Sequence, residues 1–281
     1  MTRDHGRWVS MRWTVLEQSD ELRALHDASH AHNADEFEAG IAQNFWAPAQ
    51  NMLVADRSGS IAIRSTGHFP IRPGDHDGRF IFDGSSSSND WIGFWPVDKY
   101  PQSINPKQGF LASANQEPEK PESEFSYLGA DNGYEVWRAL RINQLLRAST
   151  DVTVDSMIRW QTDPSSVRAD IFVPYFLAAV RNEDAVGRGD EVLDSAGVLL
   201  AQWDRKYALT NQRAVLFETA MQQLTDRTWD ELLQNGRRVA TPSTAVLAEL
   251  MSQPTNEWWD DRRTKDVIET RDDILAESLV A

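Results

Sequence analysis

The sequence predicts an α+β protein whose strands precede residue 131 and whose helices follow it. Three observations predict this. Short apolar runs bounded by turn residues lie in the first half. A stretch from Gly67 to Lys107 is rich in Gly, Pro and Ser and has little periodicity. From Gly133 onward, apolar residues recur at helical spacing. A chain of 281 residues suffices for one large domain or two ordinary ones. The change of pattern divides it into a β-rich part, 1–131, and a mainly helical part, 132–281.

Met11–Leu16 carries Trp13 and Val15 and reads as a short strand. Asp20–Ala31 reads as a helix with Leu22, Leu25 and Ala28 on one face. Asn33 followed by Glu36 predicts a capping box opening a second helix, with Phe37, Ile41 and Phe45 in one stripe. Met52–Ala55 and Ile61–Arg64 read as strands joined by a turn at Asp56–Gly59, where Gly59 can take positive φ. The long segment after Gly67 has the length of a functional loop or lid, with Gly84–Asp90 as its most flexible part. Gly109–Ser113 reads as a buried strand running into Asn115. Helices are expected at Gly133–Ala148, Val154–Trp160, Ser165–Val180, Glu191–Asp204, Asn211–Leu224, Trp229–Asn235, Thr244–Met251 and from Arg271. Thr241 and Pro242 end the loop leading into the helix at Thr244.

Composition narrows the function. Hydrophobic residues make up 41% and charged residues 25%, ordinary values for a soluble globular protein. A formal charge of −15 argues against nucleic acid, whose backbone needs clustered Lys and Arg, and against anionic membrane surfaces. The absence of cysteine excludes a disulfide framework, a thiol nucleophile and a zinc ribbon. No apolar run approaches the ~20 residues of a membrane span, so no membrane insertion is expected. The start, Met1 to Trp8, does not read as a signal peptide. No dinucleotide, phosphate-loop or HExxH pattern occurs, and no organic cofactor is expected.

An ordered series of motifs carries the functional reading. QNMLVADRSGSIA spans 50–62, GHFPIR 67–72, WIGFWP 91–96, and NPKQGFLASANQEP 105–118. WRALRINQLL at 137–146 and the segments 169–176 and 258–279 extend it. The series resembles the large (β) subunit of the penicillin acylase family, whose members are N-terminal-nucleophile (Ntn) amidohydrolases. The resemblance implies part of a four-layer αββα sandwich joined to a helical region. It implies hydrolysis of a linear amide in a small N-acylated substrate, of β-lactam or N-acyl homoserine lactone type. It further implies a precursor cut into α and β subunits, and a periplasmic or secreted enzyme. The family's nucleophile is the first residue of the β chain and would lie upstream of Met1. The chain is therefore expected to be an interior piece, inactive and marginally stable alone, whose partners are the α subunit and the rest of the β subunit.

The resemblance also assigns residues. Asn115 falls on the family's oxyanion-hole asparagine; alone, an Asn here reads as a turn residue. A fixed carboxamide N–H aimed at a developing oxyanion stabilises an amide-hydrolysis transition state. The family more often has a second Asn where Gln116 stands. Arg138 falls on an active-site arginine that supports the asparagine and nucleophile. Its spacing to Ile142 and Leu145 puts it on an apolar, inward stripe of the helix, where a buried Arg–carboxylate pair is the simpler reading. By register, the Glu124 carboxylate and the Gly78 carbonyl would be ligands of a structural calcium ion, with Gly74–Gly78 as an oxygen-rich turn; a solvated acidic loop is the alternative.

Other features read more simply. His26 and His30 share a helix face but lack a third ligand pattern. The aromatics at 91–95 suit packing of the loop onto its domain, or an acyl or sugar pocket. Trp258–Thr264 suits packing plus a salt-bridge network. Thr2 as a nucleophile exposed by Met1 removal does not fit the family's placement of that segment. The competing reading of the whole chain is an acidic glycan- or peptide-binding module using residues 80–96, or an inactive degenerate piece.

Overall fold

The computed structural model describes residues 2–4, 6–74, 80–118, 135–182, 190–234, 237–238 and 241–281. The chain forms two compact units, Met1–Asp131 and Asn132–Ala281.

The first unit opens with an antiparallel pair, β1 (Thr2–Asp4) and β2 (Arg7–Val9). The strand expected at Met11–Leu16 is not formed. Thr14–Leu16 is a 3₁₀ turn in which the Leu16 and Glu17 N–H groups bond back to Trp13 and Thr14. Local bonds satisfy that backbone, and Met11, Trp13 and Leu16 remain exposed.

Asp20 caps α1 (Glu21–Ser29) by accepting the Arg23 N–H. Leu22 and Leu25 are exposed, contrary to the apolar face expected of them, and Ala24 is buried. The reason is close approach by α2 (Ala34–Asn44): a Cβ added at Gly40 would lie 3.3 Å from the Asp27 Cβ, so the contact favours small residues. Asn33 accepts the Glu36 N–H at 2.9 Å, as expected of a cap. Glu36 takes the His32 N–H instead of that of Asn33, so the box is displaced by one residue. Ile41 and Phe45 pack with Ala24, Phe37 and Met52, the stripe read from the sequence.

β3 (Gln50–Ala55) and β4 (Ile61–Thr66) pair antiparallel around the expected turn, with Gly59 at φ +93°. Asp56 Oδ1 accepts the N–H groups of Ser58 and Ser60, and Oδ2 accepts the Ala34 N–H that opens α2. The chain leaves the sheet at Gly67, φ +156°, where a Cβ would lie 3.0 Å from both Ala49 Cβ and the Phe69 ring. The expected long loop carries structure. β5 (Pro70–Ile71) pairs with β6 (Gly93–Phe94), and β7 (Gln102–Ile104) joins β4 to give the order β3-β4-β7. Strands this short leave no periodic signal in sequence. Phe69, Trp95 and Tyr100 form a small core beneath them.

The second unit is helical: α3 (Trp137–Arg147), α4 (Val154–Gln161), α5 (Val167–Arg181), α6 (Glu191–Ala201) and α7 (Gln212–Thr228). A short hairpin of β8 (Leu233–Gln234) and β9 (Arg237–Arg238) precedes α8 (Thr244–Leu250) and α9 (Arg271–Val280). Capping boxes at Thr153 and Thr270 start α4 and α9. One continuous core includes Phe172, Phe176, Phe217, Leu224, Trp259, Ile274 and Leu275. Consecutive buried residues from Asp273 to Ala276 mark α9 as enclosed by its neighbours. The helix expected at Trp229–Asn235 is instead a 3₁₀ turn, Asp230–Leu232, leading into β8. Trp229 caps α7 and is buried against Trp258, which fixes the direction of exit.

Candidate active site

The segment expected to be a buried strand before Asn115 has no ladder partner among the described residues. Side chains tie it to the sheet instead. The Ser65 hydroxyl on β4 donates to Asn51 Oδ1 at 2.6 Å, and Asn51 Nδ2 on β3 donates to Ser113 Oγ at 2.8 Å. Ala114 is buried, and the chain then reverses at Asn115, whose φ is +64°. That left-handed conformation suits asparagine better than most side-chain-bearing residues. Gln116 closes the turn: its Oε1 accepts the Ala114 N–H at 2.7 Å, and its Nε2 donates to the Ala112 carbonyl at 3.1 Å. Asn115 stands at the exposed tip. A carboxamide there can donate hydrogen bonds to a carbonyl oxygen brought against this face.

Arg138 does not lie on an inward stripe. It is exposed near the start of α3, while its neighbour Ala139 is buried. Trp137 carries the packing, stacking edge-on against Phe172 and donating from Nε1 to Thr244 Oγ1 at 2.7 Å. The i, i+4 spacing to Ile142 describes a real helix face, but Ile142 and Leu145 are only partly buried. A guanidinium at that position avoids the desolvation that an inward one would suffer. Arg141, one turn along, pairs with Asp163. Asn115 belongs to the first unit and Arg138 to the second. Gly78 and Glu124, named for calcium, lie outside the described residues, as does most of Gly74–Gly78. Among the described residues no group of three or more His, Cys, Asp or Glu side chains could hold a metal ion.

The remaining candidates have structural roles. His26 and His30 stack on each other on exposed α1. Trp91 contacts Phe94 edge-on, with the Arg12 guanidinium 4.4 Å from its ring, and Trp95 is buried with Phe69. The aromatic cluster therefore packs the loop onto its own unit. Around Trp258 and Trp259, the buried Asp261 takes hydrogen bonds from Arg263 and Arg227. Burial pushes the Asp261 carboxyl up, and those arginines outweigh it, leaving it below the usual carboxylate range. Packing plus salt bridges is what the sequence suggested there.

Sequence reasoning missed His68. Its ring lies between Trp46 and Phe94, with centroids at 4.2 and 3.4 Å. Burial lowers its pKa, opposed by Glu17 with an oxygen 3.7 Å from Nδ1, so the ring is neutral at pH 7. Its place between Gly67 and Phe69, in one of the motifs quoted above, was the available signal. It was missed because its stacking partners are 22 residues upstream and 26 downstream.

Penicillin G acylase of Escherichia coli is 34% identical over 137 residues, 46% of this chain and 15% of that protein. Acyl-homoserine lactone acylase QuiP of Pseudomonas syringae pv. syringae is 28% identical over 297 aligned positions, covering 98% of this chain and 35% of that protein. The thermostable penicillin G acylase of Alcaligenes faecalis superimposes with a TM-score of 0.66 at 20% identity, covering 92% of this chain and 50% of that one. The shared fold bears out the α+β, partial Ntn-hydrolase class. The chain spans about a third of the length of the relatives that match it end to end. The penicillin amidase family matches across residues 1–281, and the chain belongs to that family.

Proposed function

We propose that this chain supplies part of the active site of an acylase-type amidohydrolase that cleaves a linear amide in a small N-acylated substrate. The substrate is a β-lactam side-chain amide or an N-acyl homoserine lactone, the chemistry named for its relatives. One observation carries the proposal: Asn115, which the resemblance of its motif puts at the family's oxyanion asparagine, is exposed on a left-handed turn that Gln116 braces.

The nucleophile, an N-terminal Ser or its equivalent, lies in the protein outside these 281 residues. It adds to the amide carbon as its own α-amine takes the hydroxyl proton; the α-amine passes that proton to the amine that leaves when the C–N bond breaks, and water then attacks the acyl-enzyme and releases the acid. Asn115 donates to the oxygen that gains charge. Arg138 falls on the family arginine that supports this chemistry. A calcium ion, if bound, would take the Gly78 carbonyl and the Glu124 carboxylate as ligands and would serve structure only. Precursor cleavage and a periplasmic or secreted location belong to the same reading.

The test uses the full-length protein that carries this chain, assayed on phenylacetylated and homoserine-lactone amides. Asn115→Ala should lower kcat by about 10²–10³-fold with the protein still folded. The 281-residue chain alone should show no turnover. Unchanged kcat in the variant, or turnover by the chain alone, would overturn the proposal.

A further inference from the structure

The proposed role of Asn115 leaves open what holds it in a conformation unfavourable to most residues. Among the described residues, 110–113 have no ladder partner. Gln116 closes the turn. Gln116 Oε1 accepts the Ala114 N–H at 2.7 Å, and Gln116 Nε2 donates to the Ala112 carbonyl at 3.1 Å. The two bonds lie on either side of Ser113, which Asn51 Nδ2 holds to β3 at 2.8 Å. Asn51 is fixed in turn by the buried Ser65 on β4. Residues 112–114 are thus held from both sides, by Gln116 from within the turn and by the sheet from outside.

Resting on the reading of Asn115 as an oxyanion donor, we infer that Gln116 is a positioning residue: its carboxamide locks the turn that fixes where the Asn115 N–H groups point. A carboxamide is the right group because it offers an acceptor and a donor at once, and the two backbone groups it meets are an N–H and a C=O. Glutamate keeps only the acceptor at neutral pH. Methionine keeps the length and neither bond. An oxyanion donor acts only if it is aimed before charge develops, and misplacement by about 1 Å can cost about 10²-fold in rate.

The experiment compares Gln116→Met, Gln116→Glu and Asn115→Ala. In the 281-residue chain, amide hydrogen exchange at Ala114 and the three-bond HN–Hα coupling of Asn115 report the brace without any catalysis. Gln116→Met should speed Ala114 exchange about tenfold and shift the Asn115 coupling away from its left-handed value. Gln116→Glu should keep Ala114 protected. In the full-length protein, Gln116→Met should lower kcat by between about tenfold and 10²-fold with KM unchanged, and Gln116→Glu should lose less. Unaltered Ala114 exchange in Gln116→Met overturns the inference. So does a normal kcat in Gln116→Met when Asn115→Ala is impaired. If Asn115→Ala itself keeps normal kcat, the oxyanion reading fails instead, and the exchange data stand apart from it. Should Gln116→Met fail to fold, kcat of Gln116→Glu decides: a reduced value supports the inference, and a parent value with Asn115→Ala impaired overturns it.

Discussion

The two units hold themselves together differently. The second has one continuous core built on large side chains from α5, α7, α9 and the Trp258–Trp259 turn. The first has two small clusters, one of Ala24, Ile41 and Phe45, the other of Phe69, Trp95 and Tyr100, connected by polar side chains. Arg64 on β4 is held by buried Glu38 of α2, by Gln102 of β7 and by the Val97 carbonyl. Asn115 sits in the first unit, on a turn held by Gln116 and Asn51. The lesson is that this fold aims its candidate donor with hydrogen bonds and uses apolar mass elsewhere. Directional bonds fix an angle, whereas burial fixes mainly a volume.

The contrast can be broken most forcefully at the large core. Phe172→Ala, at a fully buried position, should destabilise the second unit by about 3–5 kcal/mol, read from urea unfolding followed by methyl NMR. A loss under about 1 kcal/mol would mean that this core is not closely packed. Next, Glu38→Ala strands the Arg64 guanidinium, which is 2.6 Å from the lost carboxylate and 11% exposed. Breaking a buried pair costs about 3 kcal/mol or more, here with some relief from Gln102 and Val97. The same measurement should show the loss in the first unit. Capping effects are smaller. Thr270→Ala removes the hydroxyl half of the box that starts α9, while the backbone N–H at 270 still donates to Asp273, and should cost about 1 kcal/mol.

The smallest effect is the pH response, and it should separate the units. In the second, burial raises the carboxyls of Asp230, Glu231 and Glu277. Stability from a raised carboxyl is complete below its unfolded pKa, about 4, and is lost as pH rises through the raised value. Acidification from neutral through the raised values toward about pH 4 should therefore stabilise the second unit. In the first, Glu21 is lowered, chiefly by a hydrogen bond from Ser19, and Asp56 is pushed down to about 2, chiefly by the Ser58 hydroxyl. Their contribution is present above about pH 4 and is lost as pH falls through the lowered values. The lowered His68 imidazole is protonated first in the unfolded chain, so the first unit should weaken below about pH 6.5, and further below about 4 as the carboxylates protonate. Below that point Asp163 and Asp261 weaken the second unit as well. Urea midpoints taken for each unit at pH 7, 5 and 3 check the crossover, and parallel movement of the two would refute it.

Much of the fold was legible where one short-range rule governs. The turn at Asp56–Gly59, the cap at Asn33 and the stripe of Phe37, Ile41 and Phe45 all follow from spacing and residue type. The failures have a common cause. β5, β6 and β7 are two or three residues long, so no period can reveal them. Leu22 and Leu25 read as a buried face because the sequence does not disclose that α2 meets α1 through Gly40. Arg138 read as inward by spacing alone, although Trp137 sets the orientation of α3. The motif singles out Asn115 as a candidate, but its left-handed turn and the Gln116 brace depend on side-chain geometry that no pattern encodes.

Asp56 has a consequence for the order of folding. Its carboxylate belongs to the hairpin turn, yet Oδ2 accepts the first N–H of α2 from 22 residues upstream. A hairpin of this kind closes in about 1–10 μs, and closing it presents the acceptor that the helix start lacks. The hairpin thereby acts as a template for its own neighbour, turning two local events into one cooperative step. Asp56→Asn should slow the folding of the hairpin and the helix together. If the rates instead part company in laser temperature-jump experiments, the template is not used during folding.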